Sequence, residues 1–252
     1  MKAARRAAGA PADTVMPPPF HWRRTVFYLI PLVTVYTIVL GSLSLLSTLF
    51  DRTGNFAHRC ARAWARWILA TTGVRVRVSG LEHLEPGRSY VFAANHQSIY
   101  DIPILFASIP MQLRIVAKES LGRIPFMGWH LHRAGHLLID RRNPGPDIVQ
   151  KMRRLVSESS SLIVFPEGTR SVDGGIGRFK KGSFLVAADA RLPVVPVTIA
   201  GSRHVMKKGR LMVCPGEVEL TVHAPIPTAD VPRDRVLRFA EGVREIVAAA
   251  AR

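Results

Sequence analysis

Residues 89–103 read SYVFAANHQSIYDIP. The aromatic, β-branched and small apolar residues from Tyr90 to Ala94 read as a strand. They pass without a spacer into Asn95-His96-Gln97-Ser98-Ile99-Tyr100-Asp101, and Pro103 follows where the first turn of a helix tolerates it. Strand, short loop and helix in that order are the opening of a βαβ unit. The texture recurs outward from there. Strands are expected near 74–79, 89–94, 113–117, 136–140, 161–165, 194–200 and 217–223, and helices near 100–108, 125–133, 146–159, 182–190 and 233–251. Ile148, Met152, Leu155 and Val156 make the buried stripe of the third of these helices, and Val236, Phe239, Ala240, Val243 and Val247 that of the last. The alternation predicts an α/β fold, a mainly parallel sheet flanked by helices, over residues 73–252.

The N-terminal part reads differently. Residues 25–50 contain no Asp, Glu, Lys, Arg or His, and about 20 apolar residues are enough to cross a hydrocarbon core. The run follows a Pro-rich lead, MPPPF, and lacks the short apolar core and small-residue cleavage site of a secretory signal, so it is expected to stay and to sit in lipid. Positive charge flanks it on both sides: residues 1–24 carry five basic residues against one acid, and residues 51–77 six against one. Two basic flanks give no orientation by the positive-inside rule, as for a helix or hairpin that returns to one face, and Pro31 is placed to kink it. In NFAHRCARAWARWILATTG, Phe56, Cys60, Trp64, Trp67 and Ile68 share one helical face and Arg59, Arg62 and Arg66 line the other, the pattern of an interfacial helix. A helix packed on the soluble domain has the same pattern. The expected organisation is a basic lead over 1–24, a membrane-anchoring segment over 25–72 and the α/β domain beyond.

With 48% hydrophobic residues, global disorder is excluded, while a net charge of +17 predicts an anionic partner: nucleic acid, an acidic membrane or a phosphorylated substrate. The two cysteines, Cys60 and Cys214, have neither disulfide-framework nor zinc-ligand spacing, and no metal is expected.

His96 stands at the carboxyl end of a strand, where open α/β sheets bind ligands, and Asp101 follows five residues on, within reach of the imidazole. A carboxylate there fixes the tautomer, and the other ring nitrogen can take a proton from a hydroxyl. The ordinary alternative makes Asp101 a first-turn helix carboxylate. A second strand, SLIVF, reaches the same edge and is followed by PEGTRS: Gly168 permits a turn that exposes backbone N–H groups, Arg170 offers a planar fork, and Thr169 and Ser171 add hydroxyls, together a phosphate cradle or plain turn chemistry. Arg178, Lys180 and Lys181 in GGIGRFKKGS form a basic lip but not a P-loop, since Ser183 follows the glycine where lysine is required. Lys118 and Arg141 end short apolar strands and can point at the same place, whereas His130, His132 and His136 have no ligand spacing and read as structural. A G-x-S-x-G elbow, a G-x-G-x-x-G turn and a framed Cys/His pair are all missing, so neither a covalent nucleophile nor a bound cofactor is expected.

Taken together, NHQSIYD (95–101), AGHLLIDR (134–141), FPEGTRS (165–171) and LPVVPVTIAG (192–201) resemble, in order, the four signature blocks of the lysophosphatidic acid acyltransferases of the glycerolipid acyltransferase superfamily; VAKESLGRIPFMGW (116–129) is also similar. The resemblance implies the glycerolipid acyltransferase fold and transfer of an acyl group to the sn-2 hydroxyl of 1-acyl-sn-glycerol 3-phosphate. It makes His96 the general base and Asp101 its orienting partner, and assigns the acceptor's glycerol phosphate to Glu167, Gly168, Thr169 and Arg170, with Lys118 and Arg141 as further contacts. It implies acyl-CoA or acyl carrier protein as co-substrate, anionic lipid as surroundings, no cofactor and no nucleic acid, at the cytoplasmic face of the inner membrane. Other acceptors within the superfamily, namely glycerol 3-phosphate, another lysophospholipid or a lyso-aminolipid, stay open. A membrane-tethered nucleic-acid binder is the reading from another class, and 8% aromatic residues without interleaved basic ones speak against it.

Overall fold

The computed structural model describes residues 19–51, 53–124, 127–139, 150–151 and 160–251. Among them seven strands form one sheet: β1 (Val74–Ser79), β2 (Val91–Ala94), β3 (Leu113–Lys118), β4 (Leu137–Ile139), β5 (Ser161–Val164), β6 (Val194–Ala200) and β7 (Gly216–Val222), in the spatial order β1-β7-β6-β2-β5-β3-β4. Every neighbouring pair is parallel except β6–β7, where Val197 pairs with Val222 and Ala200 with Glu219. The expected helix over 146–159 lies outside the described residues apart from 150–151, as does Arg141.

Side chains alternate across the central strands and both sets are apolar, so both faces must be covered. Phe92 and Ala94 of β2 join Ile104 and Leu105 of α4 (Asp101–Ser108) and Ala65 and Ile68 of α3 (Asn55–Thr72) in one core. Val91 and Ala93 face the other way, toward Phe184 and Ala187 of helix α6 (Lys181–Asp189) and toward Val236, Ala240, Val243 and Val247 of α8 (Val236–Ala250). Phe239 also joins that stripe, edge-on to Phe184 at 5.9 Å. Two short helices complete the order: α5 (Met127–Arg133) before β4 and α7 (Ser202–Val205) after β6.

The apolar run lies in a single helix from Phe20 to Ser47, long and apolar enough to cross a membrane, with an 18-residue window of mean hydropathy 2.1. It comprises α1 (Pro19–Arg24), a π-helical turn over Thr25–Leu29 and α2 (Ile30–Ser47). Pro31 stands two residues past the π turn, whose wider hydrogen bonding absorbs the interruption proline makes. The turn also aims Thr25 and Leu29 inward. Thr25 Oγ1 accepts the Val213 N–H at 2.9 Å, and Arg24 donates to the Thr72 carbonyl at 2.6 Å, so the helix is clasped to the α/β domain at its N-terminal end. Beyond it, Phe27, Val35, Ile38 and Leu46 stand exposed.

Helix α3 corrects the expected stripe. Ala57, His58, Cys60, Ala65, Ile68, Leu69 and Thr72 are the buried residues, whereas Phe56 and Trp67 are exposed and Trp67 meets Tyr36 of α2 edge-on at 5.3 Å. The helix is wedged between α2 and α4, so packing against two partners selects a face rotated from the one that hydrophobicity marks.

At the other end of the sheet β4 begins only opposite Val116, and the preceding N–H groups of β3 need other acceptors. His136 Nδ1 takes the Ile115 N–H at 3.1 Å and His58 Nδ1 the Leu113 N–H at 3.4 Å. A backbone N–H only donates, so both nitrogens must be unprotonated. Burial, reinforced by the Arg114 charge, depresses His58 to about 4 and His136 to about 3. Neutral when folded, these histidines take up protons on unfolding below pH 6.5, so their contribution is complete above that pH and is lost as the pH falls toward 3. Thermal melting should therefore drop through this window. His136→Asn, whose amide oxygen accepts the same N–H without binding a proton, should flatten the profile by about one proton's slope.

Candidate active site

The carboxyl ends of β2 and β5 are neighbours in the sheet, and the two loops leaving them form the site. Asn95, fully buried, ends β2 by bonding the Ile199 N–H (2.8 Å) and carbonyl (2.9 Å) of β6, an amide mimicking the next ladder step. The chain then turns. Asp101 opens α4 and is completely buried, and its Oδ2 accepts from the Gln97 N–H (2.8 Å), the Ser98 N–H (2.9 Å) and His96 Nδ1 (2.8 Å). It is thus both a first-turn carboxylate of α4, holding the loop that leads into the helix, and the partner of His96. With Nδ1–H donated to the carboxylate, Nε2 of the neutral ring is a lone-pair acceptor. Phe165, the last residue before the second loop, stacks on the imidazole with centroids 4.0 Å apart and planes inclined by 21°, while the His96 side chain keeps 16% exposure.

Glu167 joins the loops. Its Oε1 accepts the His96 N–H at 2.7 Å and its Oε2 the Gly177 N–H at 2.9 Å, and the Ser171 N–H returns to the His96 carbonyl at 2.8 Å. Burial pushes the Glu167 carboxyl above its ordinary range, against the pull of the two amide bonds. Both oxygens are engaged with backbone, and a carboxylate repels phosphate. Glu167 therefore ties the two loops together, and it also lines the cleft beside them, where the acceptor contact is expected of it. Gly168 has φ +76°, and a Cβ on it would stand 2.9 Å from Lys180 Nζ, so glycine lets the lysine approach the turn.

Beside this tie lies a cleft of about 340 Å³ whose wall includes Thr169, Arg170, Arg178 and Lys208. The exposed Lys180 flanks α6, with its N–H on the Pro166 carbonyl at 3.0 Å, and Lys181 is exposed on the first turn of that helix. Lys118 is exposed at the carboxyl end of β3, on the same edge as His96. Among the described residues no group of three or more His, Cys, Asp or Glu is arranged to hold a metal ion.

The family model described as Acyltransferase matches residues 75–200, which contain both loops. A 1-acyl-sn-glycerol-3-phosphate acyltransferase of Saccharomyces cerevisiae is 31% identical over 207 residues, covering 80% of this chain and 68% of the yeast protein. The chain belongs to the acyltransferase family. Another member, a 1-acyl-sn-glycerol-3-phosphate acyltransferase of Chlamydomonas reinhardtii, is 36% identical over 188 residues, covering 72% of this chain and 55% of that protein. The chain spans about half the length of several curated relatives it matches. The crystal structure of the 1-acyl-sn-glycerophosphate (LPA) acyltransferase PlsC from Thermotoga maritima superposes with a TM-score of 0.78 at 26% identity, covering 92% of this chain and 95% of that one.

Three features of this site escaped the motif reading. The Phe165 stack and the Gly177 N–H depend on how loops fold back, for which spacing gives no signal. Lys208 was detectable as part of the basic cluster GSRHVMKKGR just past the fourth block.

Proposed function

We propose that the protein transfers a fatty acyl group from a thioester donor, acyl-CoA or acyl carrier protein, to the sn-2 hydroxyl of 1-acyl-sn-glycerol 3-phosphate, giving phosphatidic acid. The observation that carries this reading is the His96 Nδ1–Asp101 bond of 2.8 Å at the sheet edge, one loop away from a cationic cleft. His96 Nε2 takes the hydroxyl proton as the oxygen attacks the thioester carbonyl; the C–S bond then breaks, and the imidazolium returns the proton to the departing thiolate. Asp101 holds the tautomer and offsets the imidazolium charge. The thioester brings its own leaving group, so no cofactor is required. The names of the relatives support the acceptor, and Arg170, Arg178 and Lys118 supply charge suited to its phosphate.

The exposed apolar helix supports membrane association, with the catalytic edge at the cytoplasmic face, where a lipid acceptor and a soluble anionic donor meet on a basic surface. Purified protein in detergent should convert lysophosphatidic acid and palmitoyl thioester to phosphatidic acid, as read by mass spectrometry. Folded protein that makes none with either donor, yet acylates another lyso-lipid, would overturn the acceptor assignment.

A further inference from the structure

We infer that Lys208, outside all four signature blocks, is a further acceptor-phosphate ligand and selects for a phosphomonoester headgroup; this rests on the acceptor proposed above. Its Nζ donates to Thr169 Oγ1 at 3.0 Å and to the Arg170 carbonyl at 2.9 Å, so it grips the turn that presents Arg170. An ammonium has three donors, and those two bonds leave one. Lys208 also lines the same cleft as Arg170 and Arg178.

The segment bearing Lys208 is built rather than loose. Met206 accepts from Ser98 Oγ at 2.8 Å, the Cys214 N–H reaches the Val205 carbonyl at 2.9 Å and the Val213 N–H reaches Thr25. Between these pins, the Arg210 N–H bonds the Lys207 carbonyl at 3.2 Å, and Gly209 at φ +81° occupies the position where a type II turn needs a left-handed residue. Lys208 therefore sits at the first corner of a fixed turn.

Charge accounting around the cleft favours a dianion. Arg170, Arg178 and Lys208 face it together with two carboxylates. Glu167 is consumed by the amides of His96 and Gly177, and Asp173 Oδ1 by Ser171 Oγ and the Gly175 N–H, each at 3.0 Å in the latter pair. These bonds hold the carboxylates in place but leave their charge, so the cations outnumber them only while Lys208 is present, and a phosphomonoester, with close to two negative charges near neutral pH, depends most on that excess. A phosphocholine brings its own cation and one charge fewer, and gains little from the third cation.

The test compares wild type, Lys208→Ala and Lys208→Arg with lysophosphatidic acid and lysophosphatidylcholine as acceptors, and measures glycerol 3-phosphate binding without donor. Lys208→Ala should raise KM for lysophosphatidic acid about tenfold, the discrimination typical of one charge-assisted contact, with kcat changed less than threefold. It should weaken glycerol 3-phosphate binding by a similar factor and lower any turnover of lysophosphatidylcholine less than that of lysophosphatidic acid, and Lys208→Arg should recover most of the loss. An unchanged KM, or a fall in kcat alike for both acceptors, would reduce Lys208 to a brace for the Arg170 turn and overturn the inference. If wild type acylates no lysophosphatidic acid, the proposed activity fails by itself, and the glycerol 3-phosphate binding comparison still decides for or against Lys208.

Discussion

Replacing His96 with alanine is expected to lower kcat for acyl transfer by about 10³-fold, within the range a positioned general base contributes, while the melting temperature and membrane attachment stay close to wild type. The geometry makes this separation possible. The His96 side chain is held by its stack on Phe165 and its bond to Asp101 and keeps 16% exposure. Its backbone bonds, to Glu167 and from Ser171, survive truncation. Asp101 keeps the Gln97 and Ser98 amides, so the loop stays tied to the first turn of α4. What disappears is Nε2, the acceptor for the attacking hydroxyl's proton. Steady-state kinetics with a saturating thioester, alongside circular dichroism melts, make the comparison. Turnover within tenfold of wild type would require another base and would sink the mechanism.

Glu167→Gln should separate activity from stability in the opposite sense to the usual buried carboxylate. Because the folded carboxyl titrates above its ordinary range, ionised Glu167 is a net cost to the fold near neutral pH, relieved as the pH falls through its raised pKa. Glutamine removes that cost. It also presents an NH₂ group to one of two backbone N–H donors, and losing one charge-assisted bond of about 1.5–3 kcal/mol lets the loops part. The expected result is a melting temperature close to wild type, the relieved desolvation offsetting the weakened tie, with kcat/KM down by about 10- to 100-fold. Differential scanning fluorimetry and acceptor kinetics together decide it: a variant that is fully active would mean that the tie between His96 and Gly177 does not set the site.

Much of this arrangement could be read from residues alone because local chemistry dictates it. A buried apolar strand ending in Asn-His, with an aspartate placed at a helix start, leaves the carboxylate few options besides tying the loop to the helix start and meeting the imidazole. Strand positions followed from composition for the same reason: β2 and β5 are buried at every residue, and alternation across a doubly covered sheet demands apolar side chains throughout. The face of α3 was not legible, since two neighbours compete for one helix and tertiary contact outranks the hydrophobic stripe. The role of Glu167 was hidden too. A sequence shows that a carboxylate sits in the turn, but not that two amides from separate loops converge on it. The antiparallel seat of β7 depends on how the chain returns after α7, and nothing in its alternation distinguishes the two directions.

The clasp at Thr25 places the apolar helix and the acceptor loop in mechanical series. Thr25 holds Val213, and the same short peptide carries Lys208 to the Arg170 turn. The helix is thus more than a tether that raises local concentration. Its seat on the domain fixes the height at which the cationic cleft rides above whatever surface the helix enters, much as a keel fixes a waterline, and a substitute anchor joined at Ser47 without Thr25 would float the enzyme at a different depth.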